Sequence, residues 1–206
     1  MSRGLFISFE GIDGVGKSTQ VRLLAEHLGD AGRSVFLTRE PGGTALGDSI
    51  RELLLHSKGH IDDRAEALLY AADRAQHVAL EVEPALASGK DVITDRYLDS
   101  SVAYQGAGRD LGADEVRALS MFAVKGLLPN LTVLLDLSAE QAATRLAGTE
   151  LDRLESEKTE FFEAVRQGFL SLAAAEPDRW LVLDASLPAQ DIAAAIRIRV
   201  ASLLQI

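Results

Sequence analysis

With 206 residues and no Cys, the chain suits one domain, or one domain carrying a small mobile insertion, and excludes a disulfide framework, a thiolate metal site and a cysteine nucleophile. Asp and Glu outnumber Lys and Arg by 31 to 21, and a formal net charge of −10 repels a phosphate polymer, which argues against nucleic acid as a partner. A mononucleotide needs only a local group of cations, which a net charge does not reveal.

In chain order, Gly4 to Phe9 is a short apolar run that stops at Glu10-Gly11, too short and too soon charged for a signal peptide. A helical pattern follows from Lys17, with apolar positions at Val21, Leu24, Ala25 and Leu28, so the beginning reads as strand, loop, helix. The loop itself, Gly11-Ile12-Asp13-Gly14-Val15-Gly16-Lys17-Ser18, with Thr19 beside it, matches G-x-x-x-x-G-K-[ST]. Its glycines let backbone N–H groups turn inward around phosphate oxygens, and the helix start adds its positive dipole end. Lys17 is expected to reach the β and γ phosphates of a nucleoside triphosphate, and Ser18 to ligand magnesium through its hydroxyl.

Gly32 closes this helix, Val35 to Thr38 reads as a second strand, and Pro41-Gly42-Gly43 breaks the chain before a helical stretch through Ile50, Leu53 and Leu54. A long helix is expected after Ile61, with a small-residue stripe from Ala65 to Leu86 that serves as core or dimer seam, and Pro84 should kink or restart it. Asp91 to Asp95, Leu131 to Asp136 and Trp180 to Asp184 read as further strands separated by helices. Such alternation predicts an α/β fold with a parallel sheet covered on both faces, whose ligand-binding rim lies at the carboxyl ends of the strands. Glu10-Gly11, Arg39-Glu40-Pro41, Asp95-Arg96-Tyr97 and Asp136 fall on that rim. No apolar run approaches the roughly 20 residues that span a bilayer, so the expectation is a soluble, cytoplasmic, unprocessed chain with no membrane partner.

The segment Asp95-Arg96-Tyr97-Leu98-Asp99-Ser100-Ser101-Val102-Ala103-Tyr104-Gln105 gathers a carboxylate, a guanidinium, hydroxyls, a phenol and an amide on the rim. Asp95 suits magnesium and Arg96 a phosphate, unless the two simply pair with each other. Tyr70 and Arg74 are four apart, so a helix puts a flat ring and a donor on one face, which suits a planar base with a carbonyl; core packing and a pair with Asp73 are the bland alternatives. A GTP switch protein normally reads its base with Asn/Thr-Lys-x-Asp, and the only Asn here is Asn130, followed by Leu131-Thr132. The four His residues show no metal-ligand spacing and read as surface or packing residues.

Phe9 to Thr19, Thr38 to Thr44, Tyr70-Ala71-Ala72-Asp73-Arg74, Asp95 to Gln105 and Leu151-Asp152-Arg153-Leu154-Glu155, in this order and spacing, resemble bacterial thymidylate kinases over nearly the whole chain. The resemblance implies the P-loop nucleoside monophosphate kinase fold with five parallel strands, a single domain over residues 1–206 with a lid at about 140–160, a homodimer, and magnesium-dependent transfer from ATP to dTMP giving dTDP and ADP. It also implies roles. Asp13 lies where the family holds the acceptor sugar, Glu40 lies near the acceptor phosphate and metal, and Arg51 and Arg96 match phosphate-binding arginines. Tyr70 matches the aromatic that stacks on thymine, Arg74 the arginine that reaches a thymine carbonyl, Ser101 and Gln105 polar residues on the base edge, and Tyr104 the ring that crowds the sugar 2′ position.

The resemblance strains at the lid. Some family members carry an arginine in the P-loop where this chain has Gly14; members with glycine there carry basic residues in the lid, yet Ala147-Gly148-Thr149 has none. Arg153 is the preferred catalytic candidate for neutralising the transferring phosphoryl, with Arg145 second, against pairing of both with acids such as Glu150 and Glu155. Two other functions stay open: a nucleoside kinase with Glu40 as base, and a regulatory nucleotide-binding protein without turnover. A phosphate monoester is already an anionic nucleophile at pH 7 and needs no base, and a nucleoside would bring no phosphate for Arg51.

Overall fold

The computed structural model of the chain describes residues 3–148 and 152–204. Strands β1 (Phe6–Glu10), β2 (Val35–Arg39), β3 (Asp91–Asp95), β4 (Leu131–Asp136) and β5 (Trp180–Asp184) form one sheet in the order β2-β3-β1-β4-β5, parallel throughout. Place in the sheet decides burial. Central β1 is buried along its whole length because helices cover both faces, whereas the edge strands β2 and β5 are only partly covered. Its polar Ser8 meets Thr132 of β4 at 3.0 Å, and Thr132 in turn accepts from Arg179 at 2.8 Å. Phe9 and Arg39 both lie opposite Asp95, and Asp136 opposite Asp184, so the strands end together on one rim, as the sequence predicts.

Around the sheet lie α1 (Lys17–Asp30), α2 (Ala45–His56), α3 (Asp63–His77), α4 (Glu83–Ala87), α5 (Leu98–Ser101), α6 (Ala113–Ala123), α7 (Ala139–Leu146), α8 (Thr159–Ala175) and α9 (Ala189–Leu204). The expected long helix after Ile61 is divided. Asp62 caps α3 by accepting from the N–H groups of Arg64 at 3.0 Å and Ala65 at 3.3 Å. A wide π-helical turn over Val78–Val82 then passes the chain to α4, whose first turn holds Pro84, where a missing N–H breaks nothing. A second π-helical stretch, Val102–Gly108, extends α5 and carries Tyr104 and Gln105 toward the rim.

The segment expected to form a lid follows β4: α7, then Ala147 and Gly148, then Asp152 onward into α8. Thr149, Glu150 and Leu151 lie outside the described residues. Arg166 of α8, to which the sequence assigns no role, pairs with Asp136 through Nε at 2.6 Å and through a terminal nitrogen at 2.9 Å, fixing α8 to the end of β4. No helix among the described residues is long and apolar enough to cross a membrane.

Candidate active site

Two adjoining cavities on the rim hold most of the residues that the sequence singles out. The first is walled by Asp13, Gly14, Gly16, Lys17, Ser18 and Thr19 of the loop and first turn after β1, by Arg39, Glu40 and Arg51, and by Asp95 and Arg96 after β3. Gly16 takes the N-cap position of α1 in a left-handed conformation and no side chain caps the helix, so the first N–H groups of α1 are available to an anion. Lys17 donates to the carbonyls of Gly11 at 3.1 Å and Ile12 at 3.0 Å, and lies 3.5 Å from Asp13 Oδ1. Burial lowers the pKa of Lys17, so this ammonium has lost much of its hydration and gains more from phosphate oxygens than an exposed lysine would.

Gly14 explains part of the lid puzzle. Its φ of 81° is left-handed, and a Cβ there would stand 2.9 Å from the carbonyl oxygen of Ala142 and 3.1 Å from the side chain of Leu146, both in α7. This chain therefore closes α7 directly onto its P-loop and leaves no space for a larger residue at that position.

A second cavity adjoins the first. Asp13, Glu40, Arg51, Tyr70, Arg74, Arg96, Ser101, Tyr104 and Gln105, the full set expected to hold the acceptor, line it together with Pro41, Leu55 and Ser100, and with Asp152, Leu154 and Glu155 from the lid. Asp13, Glu40, Arg51 and Arg96 line both cavities, so these four mark where they meet.

Arg96 occupies that junction in a left-handed backbone conformation, φ 70°, that a long side chain rarely adopts. The geometry is held from several sides. Its own N–H donates to Phe9 O at 2.9 Å, its carbonyl accepts from Thr94 at 2.9 Å, and the next N–H, that of Tyr97, donates to buried Glu10 at 2.8 Å. The guanidinium donates to Asp13 at 2.7 Å, to Gly11 O at 3.0 Å and to the Tyr104 hydroxyl at 3.0 Å. Arg96 thus forms its ion pair with Asp13; its neighbour Asp95 makes no side-chain hydrogen bond or ion pair among the described residues and acts on Arg96 and Lys17 only through its charge. Burial alone would raise the Asp13 carboxyl, but Arg96 and Lys17 outweigh it and hold it well below the usual range.

Ser18 and Asp95 line the same cavity, and neither side chain is engaged in a hydrogen bond or ion pair among the described residues. One hydroxyl and one carboxylate form an all-oxygen donor set of the kind magnesium accepts when phosphates and water complete its shell. No group of three or more His, Cys, Asp or Glu that could hold a metal occurs among the described residues, and this arrangement requires none.

The acceptor side is wired underneath. Arg74, fully buried, donates from Nε to Glu40 at 2.6 Å, to Ser101 at 3.1 Å and to the carbonyl of Tyr97 at 3.2 Å. It pairs with Glu40 and not with Asp73, which instead accepts from Gly42 N–H at 3.0 Å. Of the surface and packing readings, His77 takes the second: it is buried, bonded to Glu40 at 2.9 Å and to Thr38 at 2.6 Å. Since a carboxylate only accepts, the His77 Nδ1 carries the hydrogen toward Glu40. Both Glu40 oxygens therefore accept a hydrogen bond from a buried group, which holds the carboxylate in one orientation where the two cavities meet. The one sequence signal for His77 was its place at i+3 from Arg74 on the same helix.

The two lid arginines stand elsewhere. Arg153 donates from Nε to Leu54 O at 2.7 Å and forms an ion pair with Glu66; Arg145 donates to Ala185 O at 2.9 Å. Neither lines the phosphate cavity, and neither pairs with Glu155, whose carboxylate accepts from the Asp152 N–H at 2.9 Å. The structure instead brings in Arg39, to which the sequence reading gave no role: it is exposed, lies at the carboxyl end of β2 opposite Asp95, and has no side-chain partner among the described residues.

The family model for thymidylate kinase matches residues 9–196. A thymidylate kinase of Clavibacter michiganensis subsp. michiganensis is 62% identical over 203 residues, covering 98% of this chain and 96% of the relative. That of Leifsonia xyli subsp. xyli is 62% identical with 95% and 94% covered, and that of Cutibacterium acnes 52% identical with 98% of each covered. A P-loop cavity sharing its walls with a base-sized one, on a five-stranded parallel sheet, agrees with this match along nearly the whole length, and the chain belongs to the thymidylate kinase family.

Proposed function

We propose that the protein transfers the γ-phosphoryl of ATP to dTMP, giving dTDP and ADP, with Lys17, Arg51 and Arg96 neutralising charge around the transferring group. The observation that carries this is the shared wall of the two cavities: Asp13, Glu40, Arg51 and Arg96 face both, so an acceptor phosphate in one reaches a donor phosphate in the other. In-line transfer between two anions needs positioning and charge neutralisation more than a base, and this wall supplies both. Magnesium, when bound through Ser18 and Asp95, screens the donor phosphates. Tyr70 stacks on the base, Ser101 and Gln105 meet its edge, Tyr104 crowds the sugar 2′ position and Asp13 holds the 3′ side. Arg39, which forms no ion pair among the described residues, supplies the charge that the lid tip lacks.

The exposed apolar side chains on α3 and α6, Leu68 at 58% and Phe122 at 85%, support a homodimer through these helices, α3 being the one that carries Tyr70 and Arg74. Sedimentation of a monomer with full activity would overturn that. The cysteine-free composition suits the cytoplasm.

A coupled assay of ADP release with ATP and magnesium, offering dTMP, dUMP, thymidine, UMP and AMP separately, tests the reaction. Preference for dTMP is expected; turnover of thymidine instead would make this a nucleoside kinase, and none with any acceptor would leave only nucleotide binding.

A further inference from the structure

Glu66 sits one helical turn before Tyr70 and two before Arg74, so all three share the face of α3 that looks toward the acceptor cavity. It is 0% exposed and does not line the cavity over the P-loop. Its Oε1 accepts from Gln105 Nε2 at 2.9 Å and from Arg109 Nε at 3.3 Å; its Oε2 accepts from Arg109 at 3.4 Å and from Arg153.

These partners decide which way an amide points. Burial alone would raise the Glu66 carboxyl, but hydrogen bonds from Gln105, Arg153 and Arg109 outweigh it and keep the group ionised. An ionised carboxylate accepts and never donates, so Gln105 must turn its NH₂ to Glu66 and its carbonyl oxygen the other way. Gln105 is 1% exposed and lines the cavity, and that oxygen has no partner among the described residues. The cavity therefore presents a fixed, unfilled acceptor beside the Tyr70 ring.

We infer that Glu66 is a specificity-determining positioning residue: by fixing the Gln105 amide it makes the cavity accept a base whose ring nitrogen carries hydrogen, as thymine and uracil do at N3, and reject cytosine, whose N3 is itself an acceptor. This rests on the reading of Gln105 as a base-edge residue. Two acceptors facing each other leave both buried and unpaired, the arrangement that hydrogen-bonding sites discriminate against most strongly. The lid enters through the same carboxylate, which accounts for Arg153 facing Glu66 instead of the phosphates.

Glu66→Gln tests it. Arg109 and Arg153 both draw the new amide's oxygen, so its NH₂ falls toward Gln105, which must flip and turn its own NH₂ into the cavity. The dTMP:dCMP ratio of kcat/KM is expected to narrow about tenfold or more, through KM for the nucleotide, with KM for ATP little changed. Gln105→Met, which leaves Glu66 with both arginines, should narrow the ratio similarly, and the double variant should add nothing to either. A loss of activity in Glu66→Gln that is equal for the two substrates overturns the proposal, as does an unchanged ratio in Gln105→Met, a readout that stands even if Glu66→Gln does not fold. A wild type with no preference for dTMP over dCMP overturns the base-edge reading and this inference together; a preference in wild type with ratios unmoved in the variants overturns the role of Glu66 alone.

Discussion

The two cavities differ in how far their polar groups are already satisfied. On the acceptor side Glu40, Glu66, Arg74 and Gln105 are buried and held by partners on other elements before any ligand is considered. On the donor side Ser18, Arg39 and Asp95 line the cavity with no side-chain hydrogen bond or ion pair among the described residues, and no side chain caps the helix N-terminus beside them. Rejecting a wrong base requires rigid groups whose orientation is fixed in advance, whereas phosphate oxygens and a metal ion can themselves complete a set of loose ligands. Substitutions on the acceptor side should therefore cost stability as well as activity, and those on the donor side activity alone.

Arg74→Met gives the largest expected effect. It leaves the Glu40 carboxylate buried with only His77, at a cost of about 3–5 kcal/mol, which should lower Tm in a calorimetric scan by roughly 10 °C. A shift within a degree or two would mean that the acceptor side is not pre-organised through this pair. Arg39→Ala comes next, with kcat reduced by about 10²–10³ while Tm and the KM for dTMP stay near wild type; a matching fall in Tm would erase the distinction between the two sides.

Arg153→Ala sharpens the boundary between them. Because Arg153 reaches Glu66 and Leu54, we expect a rise of about tenfold in KM for dTMP with kcat within a few-fold. Steady-state kinetics showing kcat falling a hundredfold at constant KM would put its guanidinium back on the phosphoryl group.

The smallest effect concerns Glu10, which burial and then nearby Asp99 push up to about 8. Between the ordinary carboxyl range and that value the folded protein retains a proton that the unfolded chain has released, so this group lowers stability as pH rises across the window. Glu10→Gln should flatten the decline of Tm between pH 5 and 8 by roughly a few degrees. Some decline should persist, because burial and Glu40 push Asp73 up to about 7. An unchanged slope would mean that Glu10 is ionised in the native state.

Strand positions and the P-loop were legible from local order, the alternation of strand and helix and a glycine-rich turn between them, and so was the pair Tyr70 and Arg74 four residues apart on one helix; the other residues of the acceptor cavity were reached through the resemblance to thymidylate kinases, because no spacing along one element joins them. Spacing along one element survives folding. The pairings did not show in the sequence, because they join elements far apart in the chain. Arg74 could have met Asp73 and meets Glu40; Arg96 could have met Asp95 and meets Asp13; Arg153 could have met Glu155 and meets Glu66. A guanidinium finds many carboxylates equally acceptable, and only the packing of the elements that carry them, β3 beside β1 for Arg96 and α3 against the rim and the segment before α8 for the other two, decides which lies within reach.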